Sequence, residues 1–275
     1  MTGRLRVVGT PIGNLEDLTP RAADALRGAA LIACEDTRRT GTLAAHAGAR
    51  GRLLAVHAHN EAARADAVIA ALRAGDDVAL VTDAGMPSVS DPGARLVGAV
   101  AAAGLPVDVV PGPSAVTAAV AVAGAPADRF AFGGFVPRKD GDRGRWLDAL
   151  DGAGATVVAF ESPNRLPATL AWLVARDPAR PVAVCRELTK LHEEVTRGPA
   201  ARVAERYDAP ARGEITLVLW PAAAREDDTT PRAVDALVRA GLGPGQVADA
   251  VAALGLGSRN DAYRAALAHP SRVDA

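Results

Sequence analysis

The amino-acid sequence predicts an α/β protein: two α/β lobes followed by a small C-terminal helical domain. Three observations carry the prediction. Short apolar runs alternate with helical patterns over roughly the first 220 residues, the rhythm that builds mostly parallel sheets. The apolar runs end in loops rich in Gly, Pro and small polar residues. A polar stretch at 222–230 then separates the last strong strand from a helical segment. The lobes are placed at residues 1–120 and 121–222, and the helical tail at 231–275.

Residues 5–10 read as a short buried strand that runs into the loop Pro11-Ile12-Gly13-Asn14. A helix follows from Thr19-Pro20, because a capping hydroxyl followed by Pro suits a first helical turn. Leu31–Cys34 is the second strand and ends in the polar cluster Glu35-Asp36-Thr37-Arg38-Arg39. A helix at about 61–74 leads to the strand Val78–Thr82, which ends at Asp83-Ala84-Gly85. Val107–Val110 is a fourth strand, stopped by Pro111-Gly112-Pro113. Residues 137–145 read as an exposed loop, and its cations suit a phosphate contact. In the second set, Val157–Phe160, Val182–Cys185 and Ile215–Trp220 are strands. Residues 231–268 read as two or three helices punctuated by Gly241, Gly243 and Gly255.

Composition narrows the function. At 49% hydrophobic and 23% charged, the 275-residue chain is that of a globular protein with a real core. It has no apolar stretch long enough for a membrane span, and its first residues lack a secretory apolar region, so a cytoplasmic location is expected. Cys34 and Cys185 stand in unrelated contexts without metal-ligand spacing, so they read as buried thiols and no metal site is expected. Thirty-one basic against 32 acidic residues give a net charge of −1, which means any nucleic-acid surface must be local.

In an open α/β sheet, ligands bind outside the carboxyl ends of the strands. The loops at Gly9–Asn14, Thr82–Pro87, Val110–Ala115 and Gly213–Thr216 are therefore the candidate binding elements. Neither a phosphate-binding G-x-x-x-x-G-K-[ST] nor a G-x-G-x-x-G dinucleotide turn is present, which argues against a P-loop ATPase and a dinucleotide oxidoreductase.

The ordered series of motifs is more specific than any one loop. Val8-Gly9-Thr10-Pro11-Ile12-Gly13-Asn14-Leu15 is followed by Cys34-Glu35-Asp36-Thr37-Arg38, His59-Asn60-Glu61, Asp83-Ala84-Gly85-Met86-Pro87 with Asp91-Pro92-Gly93, and Pro111-Gly112-Pro113-Ser114-Ala115. Gly134-Phe135-Val136-Pro137, Glu161-Ser162-Pro163-Asn164-Arg165, Arg186-Glu187-Leu188-Thr189-Lys190 and Gly213-Glu214 come after. This series resembles the bacterial 16S ribosomal RNA cytidine 2′-O-methyltransferase family, over roughly residues 5–220. The resemblance implies the two-lobed tetrapyrrole-methylase fold of class III S-adenosylmethionine methyltransferases, with the cofactor between the lobes and usually a homodimer. It also implies methylation of a cytidine 2′-hydroxyl in the decoding region of 16S ribosomal RNA, within the small subunit. Two departures stand out: Met86 where the family usually has Thr, and Asn164 where it usually has His. The second argues that this position is not catalytic.

Carried over by position, the cofactor contacts are Pro11, Gly13, Asp83, Ala84, Gly85, Pro87, Ser114, Ala115, Glu161, Ser162, Gly213, Glu214 and Thr216. A ribose hydroxyl is a weak nucleophile that gains from a base or a nearby cation. The candidates are Glu35, Asp36, Arg38, His59 and Lys190, and the sequence does not choose among them. Each has a plainer reading. Glu35–Arg38 also reads as a helix cap with a solvated ion pair, His59 as a structural histidine, and Lys190 with Arg186 and Glu187 as an interlobe salt bridge. The arginines of the tail, Arg232, Arg239, Arg259, Arg264 and Arg272, read as a second RNA contact. Two other functions stay open: a methyltransferase of this fold acting on a tetrapyrrole or other small molecule, and a non-enzymatic RNA-binding assembly factor.

Overall fold

A computed structural model describes residues 2–57, 60–222 and 226–269. The chain forms two compact units, Met1–Pro221 and Ala222–Ala275. Among the described residues, no helix is long and apolar enough to cross a membrane.

The first unit begins with β1 (Leu5–Val8), α1 (Pro20–Gly28), β2 (Leu31–Cys34), α2 (Thr37–Ala47) and β3 (Arg52–Ala55). It continues through α3 (Glu61–Ala74), β4 (Val78–Leu80), α4 (Ala94–Ala102), β5 (Val107–Val110) and α5 (Ala115–Ala123). The five strands form one parallel sheet in the order β3-β2-β4-β1-β5, so every carboxyl end lies on the same edge. Strand alternation sends Leu5, Ala33, Leu54, Val78 and Leu80 to the core shared with Val68, Leu72, Leu96 and Val100 of α3 and α4. Val8, Ile32, Cys34 and Ala79 go to the other face, against Ala22, Leu26, Leu43 and Ala44 of α1 and α2. Each fully buried leucine or valine contributes about 1.5–3 kcal/mol. The start of α1 follows the cap chemistry: the Thr19 hydroxyl accepts from the Ala22 N–H at 3.1 Å, and Pro20 opens the helix.

The second sheet uses β6 (Phe130–Phe135), β7 (Thr156–Glu161), β8 (Pro181–Arg186), β9 (Glu194–Pro199) and β10 (Ile215–Leu219), in the order β6-β7-β10-β8-β9. Only β6 and β7 are parallel; β10 runs antiparallel to both of its neighbours. The start of β10 therefore lies at the same edge as the ends of β7 and β8. One face packs on α6 (Asp140–Asp151), α7 (Leu166–Arg176) and α8 (Ala200–Arg206) through Leu147, Leu170 and Val203. The other face packs on α5, through Val116, Ala119 and Ala123 against Val158, Ala183 and Val218. The chain thus passes to the second sheet just before Ser114.

The structure corrects several sequence expectations. β3, β6 and β9 were not foreseen: β3 is four residues long, and glycines or a terminal Pro interrupt the apolar pattern of the other two. The second sheet is mixed where an alternating pattern suggested parallel strands. The loop expected at 137–145 becomes helical at Asp140. There Arg143 is buried, donates to the Pro137 and Arg138 carbonyls, and lies 5.2 Å over the Trp172 ring, so it has no phosphate to meet.

The second unit contains α9 (Glu226–Arg239), α10 (Pro244–Ala253) and α11 (Arg259–Leu267), packed around Val234, Val238, Val247 and Val251. Its first helix begins inside the stretch expected to be a linker, since polar composition alone does not separate a linker from the start of a helix. Arg239, Arg259 and Arg264 are ion-paired to Asp235, Asp249 and Asp261. Of the tail arginines expected to contact RNA, these three therefore already have acidic partners. Arg272 lies outside the described residues.

Candidate active site

The carboxyl edge of the first sheet and the matching edge of the second enclose a cavity of about 420 Å³. From the first sheet come Glu35 after β2, Asp83 to Met86 and Val89 to Asp91 after β4, and Ser114 and Ala115 after β5. From the second come Phe135, Phe160 to Pro163, Cys185, Leu188 and Gly213 to Thr216.

The first-lobe loops are stitched to each other by backbone. Thr10 N–H donates to the Gly85 carbonyl at 2.9 Å, and Gly85 N–H returns a bond to Thr10 at 3.2 Å. Gly9 and Gly112 meet backbone to backbone: a β-carbon on Gly112 would stand 2.7 Å from the Gly9 carbonyl.

Among the described residues, four non-glycine residues have a left-handed backbone: Ser88 (φ 72°), Ser90 (φ 64°), Glu187 (φ 52°) and Thr189 (φ 66°). All four fall in two loops, one from each lobe, and both loops reach the cavity. Strained backbone of this kind costs about 1–3 kcal/mol per residue and persists where the surroundings over-determine it. At Ser88–Gly93 the determining group is Glu61. Its buried carboxylate accepts from Gly93 N–H at 3.1 Å and from Leu96 N–H at 2.8 Å, anchoring the loop to the start of α4. The Asn60-Glu61 motif is therefore scaffolding. Asn60 accepts from His57 N–H at 2.8 Å and donates to the Ala55 carbonyl at 3.2 Å. His59 lies outside the described residues.

Carboxylates gather on the first-lobe side. Burial, followed by Asp83, raises Glu35 above the ordinary carboxylate range, against the opposing effect of the Thr82 hydroxyl and Arg39. Burial, followed by Glu35, lifts Asp91 to about 6, with Asp83 and Glu214 adding to the rise and Thr82 opposing it. Asp83 accepts from Asp36 N–H at 3.1 Å and has Arg39 at 3.5 Å. Asp36 and Arg38 do not reach the cavity. Asp36 caps α2 by accepting from Arg38 N–H at 2.8 Å, and the Arg38 side chain holds its carboxyl down at about 2. Of the motif Glu35–Arg38, the structure gives Glu35 to the site and Asp36 with Arg38 to the helix end.

On the second-lobe side, Lys190 bonds Glu187 Oε1 at 2.7 Å and Glu214 Oε2 at 2.9 Å. These two carboxylates hold the ammonium above its usual range despite burial. Both partners belong to the same lobe as Lys190, so this is not an interlobe salt bridge. What crosses between lobes is packing: the Lys190 stem lies against Gly13, where a β-carbon would stand 2.4 Å from Cγ. Glu161 is a cavity-wall residue whose carboxylate is fully engaged elsewhere, with Ser162 N–H at 2.6 Å, the Thr169 hydroxyl and Arg165 at 2.5 Å. The Cys185 thiol is buried in the wall and pushed up to about 11, which keeps it protonated and unreactive.

Gly213 makes the Glu187–Glu214 corner possible. Its φ is +91°, and a β-carbon there would stand 2.3 Å from the Glu187 carboxyl carbon. Gly213→Ala should displace Glu187 from Lys190 and destabilise the protein by about 1–3 kcal/mol. An unchanged melting temperature would show that the corner adapts freely.

Of the residues expected to contact a cofactor, Asp83, Ala84, Gly85, Ser114, Ala115, Glu161, Ser162, Gly213, Glu214 and Thr216 line the cavity. Pro11, Gly13 and Pro87 are not among the lining residues. Among the described catalytic candidates, Glu35 lines the cavity and Asp36, Arg38 and Lys190 do not. Arg39, Asp91, Phe135 and Phe160 line the cavity and were not singled out by sequence reasoning, although Asp91 and Phe135 stood inside quoted motifs.

Two sets of strand-end loops face one another across a cleft, and the chain belongs to the tetrapyrrole (corrin/porphyrin) methylase family, whose model matches residues 4–204. Within that family it is 45% identical to the ribosomal RNA small subunit methyltransferase I of Mesorhizobium japonicum, over 85% of this chain and 80% of that protein. It is also 45% identical to the protein of the same name from Thermotoga maritima, over 79% of this chain and 98% of that protein. Among solved structures, uroporphyrin-III C-methyltransferase from Thermus thermophilus, complexed with S-adenyl homocysteine, shares the fold with a TM-score of 0.56. Its identity is 22%, over 79% of this chain and 97% of that one.

Proposed function

We propose that this protein transfers a methyl group from S-adenosylmethionine to the 2′-hydroxyl of a cytidine in the decoding region of 16S ribosomal RNA. The observation that carries the reading is the 45% identity, over about four-fifths of both chains, to a ribosomal RNA small subunit methyltransferase. The cleft fits the cofactor by size and chemistry. About 420 Å³ lies in the range of small-molecule sites. Ile12, Met86, Val89 and Leu188 supply apolar wall, Gly85 with Ala84 and Ala115 leaves backbone accessible, and Glu35, Asp83 and Asp91 provide the negative potential that a sulfonium cation favours.

When bound, the cofactor supplies an electrophilic methyl group for direct displacement. The chain's own task is to hold the hydroxyl in line, exclude water and take up a proton. The exposed pair Arg138-Lys139, three residues after Phe135, is positioned for phosphates. With a net charge of −1, free RNA is a poor ligand, so the substrate is the small subunit, where other components present the nucleotide. The working form is a cytoplasmic homodimer; a sedimentation mass near the 28.0 kDa of one chain would contradict the dimer.

The test is transfer of tritium from labelled S-adenosylmethionine to small subunits lacking the modification, followed by nuclease digestion. Label is expected in 2′-O-methylcytidine. Label on a base, or transfer only to a tetrapyrrole, would overturn the reading. An assembly factor without activity would transfer none.

A further inference from the structure

The geometry points to an acceptor-nucleotide subsite at one end of the cleft, where the base stacks on Phe135 and the carboxylate of Asp91 takes the proton of the attacking hydroxyl. This rests on the methyl-transfer reading above and adds the residues that would hold and activate the acceptor.

The Phe135 half comes from a break in the second sheet. β6 pairs with β7 in parallel, but the register shifts between Phe132 and Phe135, across Gly133 and Gly134. Gly134 has a left-handed φ of +67°, and Gly133 is packed against the Trp146 indole, which donates to its carbonyl at 2.9 Å. A bulge of this kind re-aims the side chain that follows it. Here that side chain is Phe135, a cavity-lining ring left 58% exposed. It is held edge-on to Phe160, with ring centroids 5.5 Å apart at 63°. An exposed aromatic face on a rigid mount, followed three residues later by Arg138 and Lys139, matches what an unpaired base and its phosphates require.

The Asp91 half comes from the loop across the gap. Ser90 Oγ lies 3.9 Å from where a β-carbon on Gly134 would stand, so the Ser88–Gly93 loop and the bulge are neighbours. Asp91 projects from that loop into the cavity lining. The loop is strained at Ser88 and Ser90 and clamped from behind by Glu61, so Asp91 is held in place by backbone rather than by a counter-ion. The groups facing it are Glu35, Asp83 and Glu214, with the Thr82 hydroxyl as its hydrogen-bond partner. The nearby cations are already engaged: Arg39 with Asp83, and Lys190 with Glu187 and Glu214. A half-buried carboxylate among like charges, with a pKa of about 6, is a stronger base than an exposed one.

The step balances. The hydroxyl oxygen forms a bond to the methyl carbon, and the carbon–sulfur bond breaks with its electron pair left on sulfur. The hydroxyl proton passes to Asp91, which releases it to water after the product leaves.

The experiment is steady-state kinetics on small subunits with wild type, D91N, D91E, E35Q and F135L. Cofactor calorimetry, melting curves and sedimentation accompany each variant. Wild-type kcat should fall as pH drops through about 6. D91N should lose roughly 10²–10⁴ in kcat and that acid limb, with cofactor affinity retained, while D91E recovers part of both. D91N should also melt higher than wild type above pH 6. A carboxyl raised from 3.8 to about 6 destabilises the fold progressively as pH rises through that window, and the amide does not. F135L should raise KM for the subunit roughly tenfold with little change in kcat and an unchanged oligomeric mass. The inference fails if D91N keeps wild-type kcat, or if E35Q rather than D91N removes the acid limb. It also fails if F135L leaves KM unaltered or dissociates the protein. If wild type itself transfers nothing to small subunits, the underlying reading fails instead.

Discussion

Glu161→Ala should lower the melting temperature on the order of 10 °C. The side chain is fully buried and ion-paired to Arg165 at 2.5 Å, while Ser162 N–H and the Thr169 hydroxyl donate to the same carboxylate. Removing one partner of a buried pair costs about 3–5 kcal/mol, because the remaining charge and donors are left unpaired in a poorly solvated place. In a chain of this size each kcal/mol shifts the midpoint by about 2–4 °C. Arg165 also donates to the Val136 carbonyl at 3.0 Å, so the loss should spread to the segment that follows Phe135. Glu161→Gln retains most hydrogen bonds and should fall between the two. Calorimetric melting of the three proteins decides it. An alanine variant within about 1 kcal/mol of wild type would show that water replaces the carboxylate at little cost.

Gly112→Val should abolish most cofactor binding while leaving the fold in place. A β-carbon at this position stands 2.7 Å from backbone atoms of Gly9, a distance that no rotamer relieves. The loops after β1 and β5 must move apart, which costs about 1–3 kcal/mol as overpacking. The functional cost is larger, because Ser114 and Ala115 begin two residues later and line the cavity. A displacement of about 1 Å in a positioning element can cost roughly 10²-fold. Titration of S-adenosylmethionine into the folded variant is the measurement. A dissociation constant equal to that of wild type would remove these loops from the cofactor site.

The sequence made the strong elements legible and left the weak ones hidden for identifiable reasons. β2, β4 and β10 are short apolar runs closed by turn residues, and their periodicity speaks for itself. β6 reads poorly because Gly133 and Gly134 break the alternation. Those same glycines create the bulge that turns Phe135 toward the cavity, so the feature that obscured the strand is the feature that matters. Most of the residues expected in the cofactor loops line the cavity, since loops at one edge of each sheet converge by topology alone. Among the described catalytic candidates, Glu35 alone lines the cavity. Asp36 and Arg38 look like chemistry in one dimension and prove to be a helix cap. Asp91 gains its unusual basicity from burial and from Glu35, which lies far away in sequence.

The position of β10 sets the order in which this chain can mature. Synthesis runs from the amino terminus, and domains tend to organise as they emerge. The first sheet has all its strands once Val110 has been made. The second has its outer members, β6 with β7 and β8 with β9, before residues 215–219 arrive to join them. Until then a nascent chain carries two separate ribbons whose inner edges, β7 and β8, have unpaired backbone groups and strongly apolar faces. Such edges invite pairing with other chains. The last strand made is therefore the keystone of the lobe, and premature termination anywhere before it would yield an aggregation-prone fragment rather than a shortened protein.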